Sequence, residues 1–350
     1  NEADKLKRIL KILFILTILC LGGAMRAWAE PSNTNSSATI DNANAYTVTP
    51  VFGATQNNKT SNFFDMTLTP KQKDTFKLTI TNTTPNSQKF KVQVNTATTN
   101  SNGIVDYTKS SFEKDPSMSL VLSDLISPNR KDISVPGKQS QTIDFQITMP
   151  EKLFSGILLG GVTIRPVEIA GDQSKGGIQN VYMHTIAIRV NETAETIPAK
   201  LESGSVKIGQ INRHNTVSME IKNPQRKLLS KVEGDFFVKE KGTNKTIIHE
   251  KKNNLSFAPN TRFDLPILLK DSFKPGDYTY TIKLKNHEGS WTFSKDFTIN
   301  KKQADQYNKR SVDHKVKNLH WLKYLMAFLI LVILGTVCYI LGKKKGKMRL

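Results

Sequence analysis

Cysteine is nearly absent: the 350 residues hold two, Cys20 and Cys338, each inside an apolar segment near one end. No cysteine lies between Glu30 and Asn300. That body can therefore form no disulfide and offers no thiol nucleophile. A disulfide-dense mini-scaffold is excluded. Six histidines (His184, His214, His249, His287, His314, His320) form no His-x-x-x-His or His-Glu-x-x-His pair, so metal-ligand spacing is missing. Gly-x-Gly-x-x-Gly and P-loop patterns are missing too. No cofactor is expected. Helical periodicity is equally scarce, since no body segment carries an apolar stripe at 3.6-residue spacing. Acidic residues are outnumbered, with 30 Asp+Glu against 50 Lys+Arg, for a formal net charge of +20. An apolar content of 38% excludes wholesale disorder, and the length predicts two or three domains.

Such a charge points toward nucleic acid until its location is examined. Lys5, Lys7, Arg8 and Lys11 precede the apolar run Ile12–Ala24, which leads to Ala27-Trp28-Ala29. A basic region, a short apolar stretch and an A-x-A site predict a signal peptide, residues 1–29, cleaved after Ala29. At the other end Tyr324–Gly342 is 19 residues without a charge, flanked by Trp321 and Tyr324 on one side and Tyr339 on the other. This predicts a membrane-spanning helix over 321–342. Lys343, Lys344, Lys345, Lys347 and Arg349 follow it, so residues 343–350 form a cytoplasmic tail by the positive-inside rule. No Leu-Pro-x-Thr-Gly precedes the run, so the helix itself is the expected anchor. The predicted location is the cell membrane, single-pass, with the body outside.

Residues 1–29 hold five basic and two acidic groups, a net of +3, and 301–350 hold twelve and two, a net of +10. The body 30–300 keeps 33 basic and 26 acidic groups, a net of +7. Most of the charge thus serves targeting and orientation. Nucleic-acid binding loses its support.

Residues 30–45, rich in Asn, Ser, Thr and Ala, read as a flexible linker. From Tyr46 to Asn300 short period-2 stripes dominate, such as Phe76/Leu78/Ile80, Ile143/Phe145/Ile147 and Tyr278/Tyr280/Ile282/Leu284. Strands every 8 to 15 residues predict an all-β chain. The expected architecture is two tandem immunoglobulin-like β-sandwiches, 46–168 and 178–300, parted by a glycine-rich break at Gly171–Gly177. Polar, charged residues 301–320 read as a juxtamembrane stalk, either irregular or partly helical.

Ser111-Phe112-Glu113-Lys114 matches Ser-x-x-Lys and Ser127-Pro128-Asn129 matches Ser-x-Asn, two elements of penicillin-recognising enzymes. Those enzymes start a helix at the Ser, whereas Asp115-Pro116 stops one here, and no Lys-Thr-Gly follows. A non-enzymatic protein is expected. Two other segments stand out. Ala97–Ile104, followed by Tyr107, is either a plain hairpin connection or a polar ligand loop. In the second case Thr98, Thr99, Asn100, Asn102 and Tyr107 would bind. Phe154–Val162 is apolar on both faces and predicts a buried central strand, its glycines allowing close backbone approach. Trp291 fits a core ring by its strand position, or an exposed ring for stacking on a sugar.

These segments, in this order, resemble the WxL-interacting proteins of Gram-positive bacteria. The likeness runs through Tyr46–Pro50, Asn62–Asp65 and Ile80-Thr81-Asn82, and is strongest at Ala97–Tyr107 and Phe154–Gly161. It continues at Asn180-Val181-Tyr182, Phe257–Thr261, Pro275–Tyr278 and Trp291-Thr292-Phe293. Ser155 departs from the family's usual acidic residue, and Lys71 from its commoner Gly. The resemblance implies a first domain that binds peptidoglycan. It implies a second that binds WxL-domain surface proteins and host extracellular-matrix proteins, with no catalytic residues to transfer. A scaffold or chaperone for secreted β proteins, accepting a partner strand at an open edge, is the first alternative, and a wall-modifying enzyme using Ser111 and Lys114 or a carboxylate pair is the second.

Overall fold

The computed structural model describes residues 45–167, 181–243, 245–313 and 320–346. The predicted signal peptide, the linker up to Asn44, the break Gly171–Gly177 and the last four tail residues lie outside them.

Period-2 alternation becomes strands wherever it was visible, because one face of each must leave water. In the first sandwich one sheet runs β1 (Tyr46–Val51), β3 (Lys73–Asn82), β9 (Ser140–Thr148), β7 (Ile126–Ser127). The other runs β2 (Phe64–Thr67), β11 (His184–Asn191), β10 (Ile157–Pro166), β4 (Gln88–Thr96), β8 (Arg130–Val135). Phe76 and Leu78 of β3 lie opposite Phe145 and Ile143 of β9 and are buried with them. Phe64 from the facing sheet meets the Phe76 ring at 4.4 Å, which closes the core.

The predicted central strand is β10, flanked by β4 and β11 on its two sides. A Cβ on Gly160 would lie 2.3 Å from the Asn95 carbonyl oxygen, so this close strand approach requires glycine.

The second sandwich pairs a sheet of β12 (Glu202–Ile211), β13 (His214–Asn223) and β16 (Thr261–Leu269) with one of four strands. These run β15 (Thr246–Phe257), β14 (Leu229–Glu240), β17 (Gly276–Asn286), β18 (Gly289–Ile299). Its core includes Val217, Met219, Phe236, Leu265, Tyr280 and Ile282. Trp291 on edge strand β18 is half-buried against that core.

Two boundaries differ from the sequence expectation. Strand β11, within the predicted second domain 178–300, is bonded into the first sandwich, antiparallel to β10 and parallel to β2. Ile188 and Val190 fill the first core, and Arg189 makes a bidentate pair with the buried Asp65 at 2.8 and 2.5 Å. Its alternation suits either sandwich; only the spatial partner decides. The predicted stalk begins with a helix, α1 (Lys301–Arg310), as its partly helical alternative allowed, and the difference is that this helix belongs to the second sandwich; a capping box between Asn300 and Gln303 opens it. Ala304 is buried, Tyr307 packs on the core, and Asn308 accepts from Asn215 and from the Phe273 amide. One apolar residue per turn suffices here because polar side chains complete the contact. That pattern left no stripe to recognise.

Helix α2 (His320–Gly346) contains the uncharged run. Its side chains are described without a break only over 326–337, all exposed. Among the described residues no helix is long and apolar enough to cross a membrane.

Tyr46 gives a pH-dependent prediction. Its side chain is 1% exposed, and its hydroxyl lies 2.9 Å from the carbonyl oxygens of Ile164 and Tyr182. Burial pushes the phenol up to about 12. Unfolded, the same phenol ionises near pH 10, so above that the unfolded state holds fewer protons and gains relative stability. The Tyr46 contribution is therefore complete below pH 10 and falls by about 1.4 kcal/mol per pH unit toward pH 12. Urea titrations of wild type and Tyr46→Phe at pH 8, 10 and 11 should show their stability difference shrinking above pH 10. Parallel curves would refute it.

Candidate binding site at the sandwich junction

The polar segment singled out in the sequence folds as a short hairpin, β5 (Thr98–Thr99) with β6 (Val105–Asp106). Asn100 organises its turn: Oδ1 accepts from the Asn102 amide at 2.9 Å and the Ile104 amide at 3.2 Å. Gly103 takes φ +71°, which its missing Cβ allows.

The hairpin does not stand free. Its tip lies on the second sandwich, where the Ser256 amide donates to the Gly103 carbonyl at 2.8 Å. A Cβ on Gly103 would meet Leu255 at 2.9 Å and Leu265 at 3.2 Å. The Thr99 hydroxyl accepts from the Ala258 amide at 2.9 Å and lies 3.0 Å from the Thr261 hydroxyl. Ala97 and Leu159 of the first sandwich share a small apolar cluster with Ala258, and Val105, Tyr107 and Leu228 pack on it.

A second contact closes the junction nearby. The Ile157 amide donates to the Arg226 carbonyl at 2.7 Å, and the Arg226 guanidinium donates to Ser119 Oγ at 2.6 Å. The same guanidinium lies 5.5 Å from the Phe154 ring centre.

Between these contacts lies a cleft of about 350 Å³. Thr98, Thr99, Lys109, Asp115 and Met118 line one wall, and Lys207, Thr261, Arg262 and Phe263 the other. Glu113 and Arg262 form an ion pair across it, and Lys207 pairs with Asp264 at 3.2 Å.

The five predicted ligand residues thus do not share one open surface. Thr98 and Thr99 are buried at the junction and border the cleft. Asn100 accepts within its own turn, and Asn102 is exposed at the tip. Tyr107 is half-buried against Gly161, and burial raises its phenol above the ordinary value. Ser111 and Lys114 are exposed in a coil, with no helix starting at the serine. Asp115, buried beside them, escaped the sequence reading; its only signal was the Asp-Pro step used there as a helix stop.

The two family departures also have local causes. Lys71 adopts φ +61°, the conformation a glycine would take most easily, and Ser155 donates to Glu195 at 2.5 Å, where an acidic side chain would repel. Among the described residues no group of three or more His, Cys, Asp or Glu is placed to hold a metal.

Residues 46–166 match a family described as WxL Interacting Protein, peptidoglycan binding domain. Residues 173–309 match WxL Interacting Protein, host binding domain. The boundary between the matches falls before β11, whereas the sheet pairing carries the first sandwich through Asn191. No curated protein matches the chain.

Among solved structures, a chain of a chaperone–tip adhesin complex of CFA/I fimbriae biogenesis is 12% identical over 71% of this chain and 97% of its own, with TM-score 0.28. The Escherichia coli chaperone DraB is 12% identical over 73% and 98%, with TM-score 0.27. The Pseudomonas aeruginosa CupB2 chaperone is 9% identical over 63% and 91%, with TM-score 0.26. At these scores they imply nothing about partners.

Proposed function

The chain belongs to the WxL-interacting protein family, and from that premise we propose a non-enzymatic, membrane-anchored binding protein of the Gram-positive cell surface. The first sandwich docks on peptidoglycan. The second docks on WxL surface proteins and on host extracellular-matrix proteins. The observation that carries this reading is the pair of family matches, in sequence order, over the two sandwiches. Both sandwiches are read as immunoglobulin-like, in support of which the second sets three strands against four.

The anchor rests on the uncharged run Tyr324–Gly342 inside α2. At about 1.5 Å per residue such a run reaches close to the thickness of a bilayer core. The basic residues behind it support a tail inside and sandwiches outside, by the positive-inside rule. A body at +7 is drawn toward a wall rich in phosphate polymers, an attraction screened beyond about 8 Å at physiological salt.

Detergent-solubilised full-length chain should sediment with purified peptidoglycan sacculi and be released by soluble muropeptides. Sedimentation equal to a control without sacculi would sink the assignment.

A further inference from the structure

The chain leaves the second sandwich at a fixed point, because helix α1 ends against the β12–β13 hairpin. The Arg213 guanidinium donates through Nε to the Arg310 carbonyl at 3.1 Å, and the Val312 amide donates to the Arg213 carbonyl at 3.1 Å. Gln210 Nε2 donates to the Tyr307 carbonyl at 2.7 Å, and His214 Nδ1 lies 2.8 Å from Asp313 Oδ2. From Asp313 six residues, 314–319, lead to α2 at His320, and the uncharged run starts at Tyr324. Fully extended, that stretch spans at most about 25 Å. With α2 as the anchor, the hairpin tip is therefore kept within about 25 Å of the lipid headgroups.

This end of the sandwich presents what such a surface binds. Arg213, Lys309 and Arg310 are exposed, and among the described residues none of them enters an ion pair. Beside them Ile211 and Val312 are 38% and 51% exposed, brought together by the bond between Val312 and Arg213. Cations flanking apolar side chains are the makeup of membrane-surface contacts. Of the acidic residues on this segment, Asp313 is taken up by His214, and Asp305 lies one helical turn before Lys309. The hairpin turn is Asn212-Arg213, at φ +50° and +65°. Such a turn favours Asn followed by Gly, so the arginine is kept against the backbone preference. Its bond to Arg310 uses one of its three nitrogens.

The opposite end of the same sandwich carries the junction. Strand β13 runs from His214 at the hairpin to Asn223, whose side-chain amide donates to the Ala258 carbonyl. The Ala258 amide in turn donates to Thr99 of the first sandwich. A strand of this length spans about 30 Å.

We propose that the hairpin tip and the end of α1 form a docking surface for an anionic phospholipid bilayer. Arg213, Lys309 and Arg310 meet the headgroup phosphates, and Ile211 and Val312 lodge among them. The short tether makes the contact intramolecular, so the modest attraction of a few charges suffices. Seated this way, the second sandwich stands on the membrane and holds the first up to about 30 Å further out, toward the wall. The inference rests on the anchor reading of α2.

The test uses the full-length chain reconstituted in vesicles of phosphatidylcholine alone, or of equal parts phosphatidylcholine and phosphatidylglycerol. A fluorophore is attached at Gln306→Cys, an exposed position of α1, in a Cys20→Ser, Cys338→Ser background. A nitroxide on the lipid headgroups quenches it on near contact. Quenching should be strong in the anionic vesicles, and weak in the neutral ones and at high salt. Lys309→Gln/Arg310→Gln removes two charges and no backbone bond. It should lower the ratio of docked to free sandwich about 25-fold, at about fivefold per basic residue. Val312→Ser should lower the ratio as well. Thermal unfolding of these variants should match wild type, since the altered side chains are exposed.

Equal quenching of the unsubstituted patch in the two vesicle types overturns the proposal, whether or not the patch variants fold. Flotation with the vesicles after a carbonate wash separates the two readings. A chain that floats but is quenched alike in both loses only the docking surface. A chain that does not float loses the anchor reading as well.

Discussion

Gly156→Ala should loosen the junction between the sandwiches while leaving each core intact. Gly156 sits at φ +88°, and a Cβ there would lie 2.4 Å from the Arg226 carbonyl oxygen and 2.7 Å from Arg226 Cβ. The clashing atoms belong to the second sandwich or to Ile197 of the connecting segment, not to the first core. Backbone cannot yield as a flexible side-chain end can, so the loop must move and stretch the adjacent Ile157–Arg226 hydrogen bond of 2.7 Å. A side chain in the left-handed region and one lost buried hydrogen bond together cost about 2–4 kcal/mol. The expected readout is protease cutting in the segment 192–201 that rises by at least about tenfold, since 1.4 kcal/mol already changes a population by that factor. Calorimetry should show a broadened or divided transition. A variant that melts and resists protease as wild type does would mean the junction is not held at this point.

Removal of either of two buried asparagines should have the largest effect on the sandwiches themselves. Asn82 ends β3 and Asn223 ends β13, and both are fully buried. The side-chain amide of Asn82 reaches the carbonyls of Asn86, Val135 and Pro136, at 2.7, 3.0 and 3.2 Å. That of Asn223 reaches Lys227, Phe257 and Ala258, at 2.7, 3.4 and 2.9 Å. In each case the side-chain oxygen accepts the amide two residues on, Thr84 in the first sandwich and Gln225 in the second. The two sandwiches thus repeat one device, a buried amide that ties a strand end to the turn before the neighbouring strand. Alanine at either site strands several buried carbonyls at once, an expected loss of about 3 kcal/mol, or roughly 10 °C in Tm. The effect should be local, with Asn82→Ala lowering the first sandwich and Asn223→Ala the second. A shift of under about 2 °C for both would refute the shared role, because ordinary surface changes move stability that little.

The asparagine repeat was open to view in the sequence as Ile80-x-Asn82 and Ile221-x-Asn223, each with a turn following. Two short matches 141 residues apart carry little weight until the surrounding bonds show them doing the same thing. Strand faces were legible throughout: Phe76/Leu78/Ile80 and Tyr280/Ile282/Leu284 are buried as their alternation required. The double-faced apolar run Phe154–Val162 was legible as a central strand for the same reason. The hairpin at Ala97–Tyr107 was legible as a turn, since Asn and Gly favour φ above zero. Its docking on Ser256, Ala258 and Thr261 was not, because those partners lie about 150 to 160 residues away. The docking of helix α1 on the second sandwich was hidden for a different reason. Its packing uses Ala304, Tyr307 and the amide of Asn308, which make no hydrophobic stripe.

The +20 of the whole chain had dissolved into its parts before any fold was known, because charge and hydropathy are additive along a sequence. Cysteine scarcity, strand periodicity and the order of basic N-terminal run, alternating body and apolar C-terminal segment are properties of the same local kind. Which sandwich receives β11, what the polar hairpin grips, and that Asp115 is buried are not. Each of these depends on which distant segments meet, and local alternation is equally satisfied by several such meetings. Only the closing of the two cores chose among them.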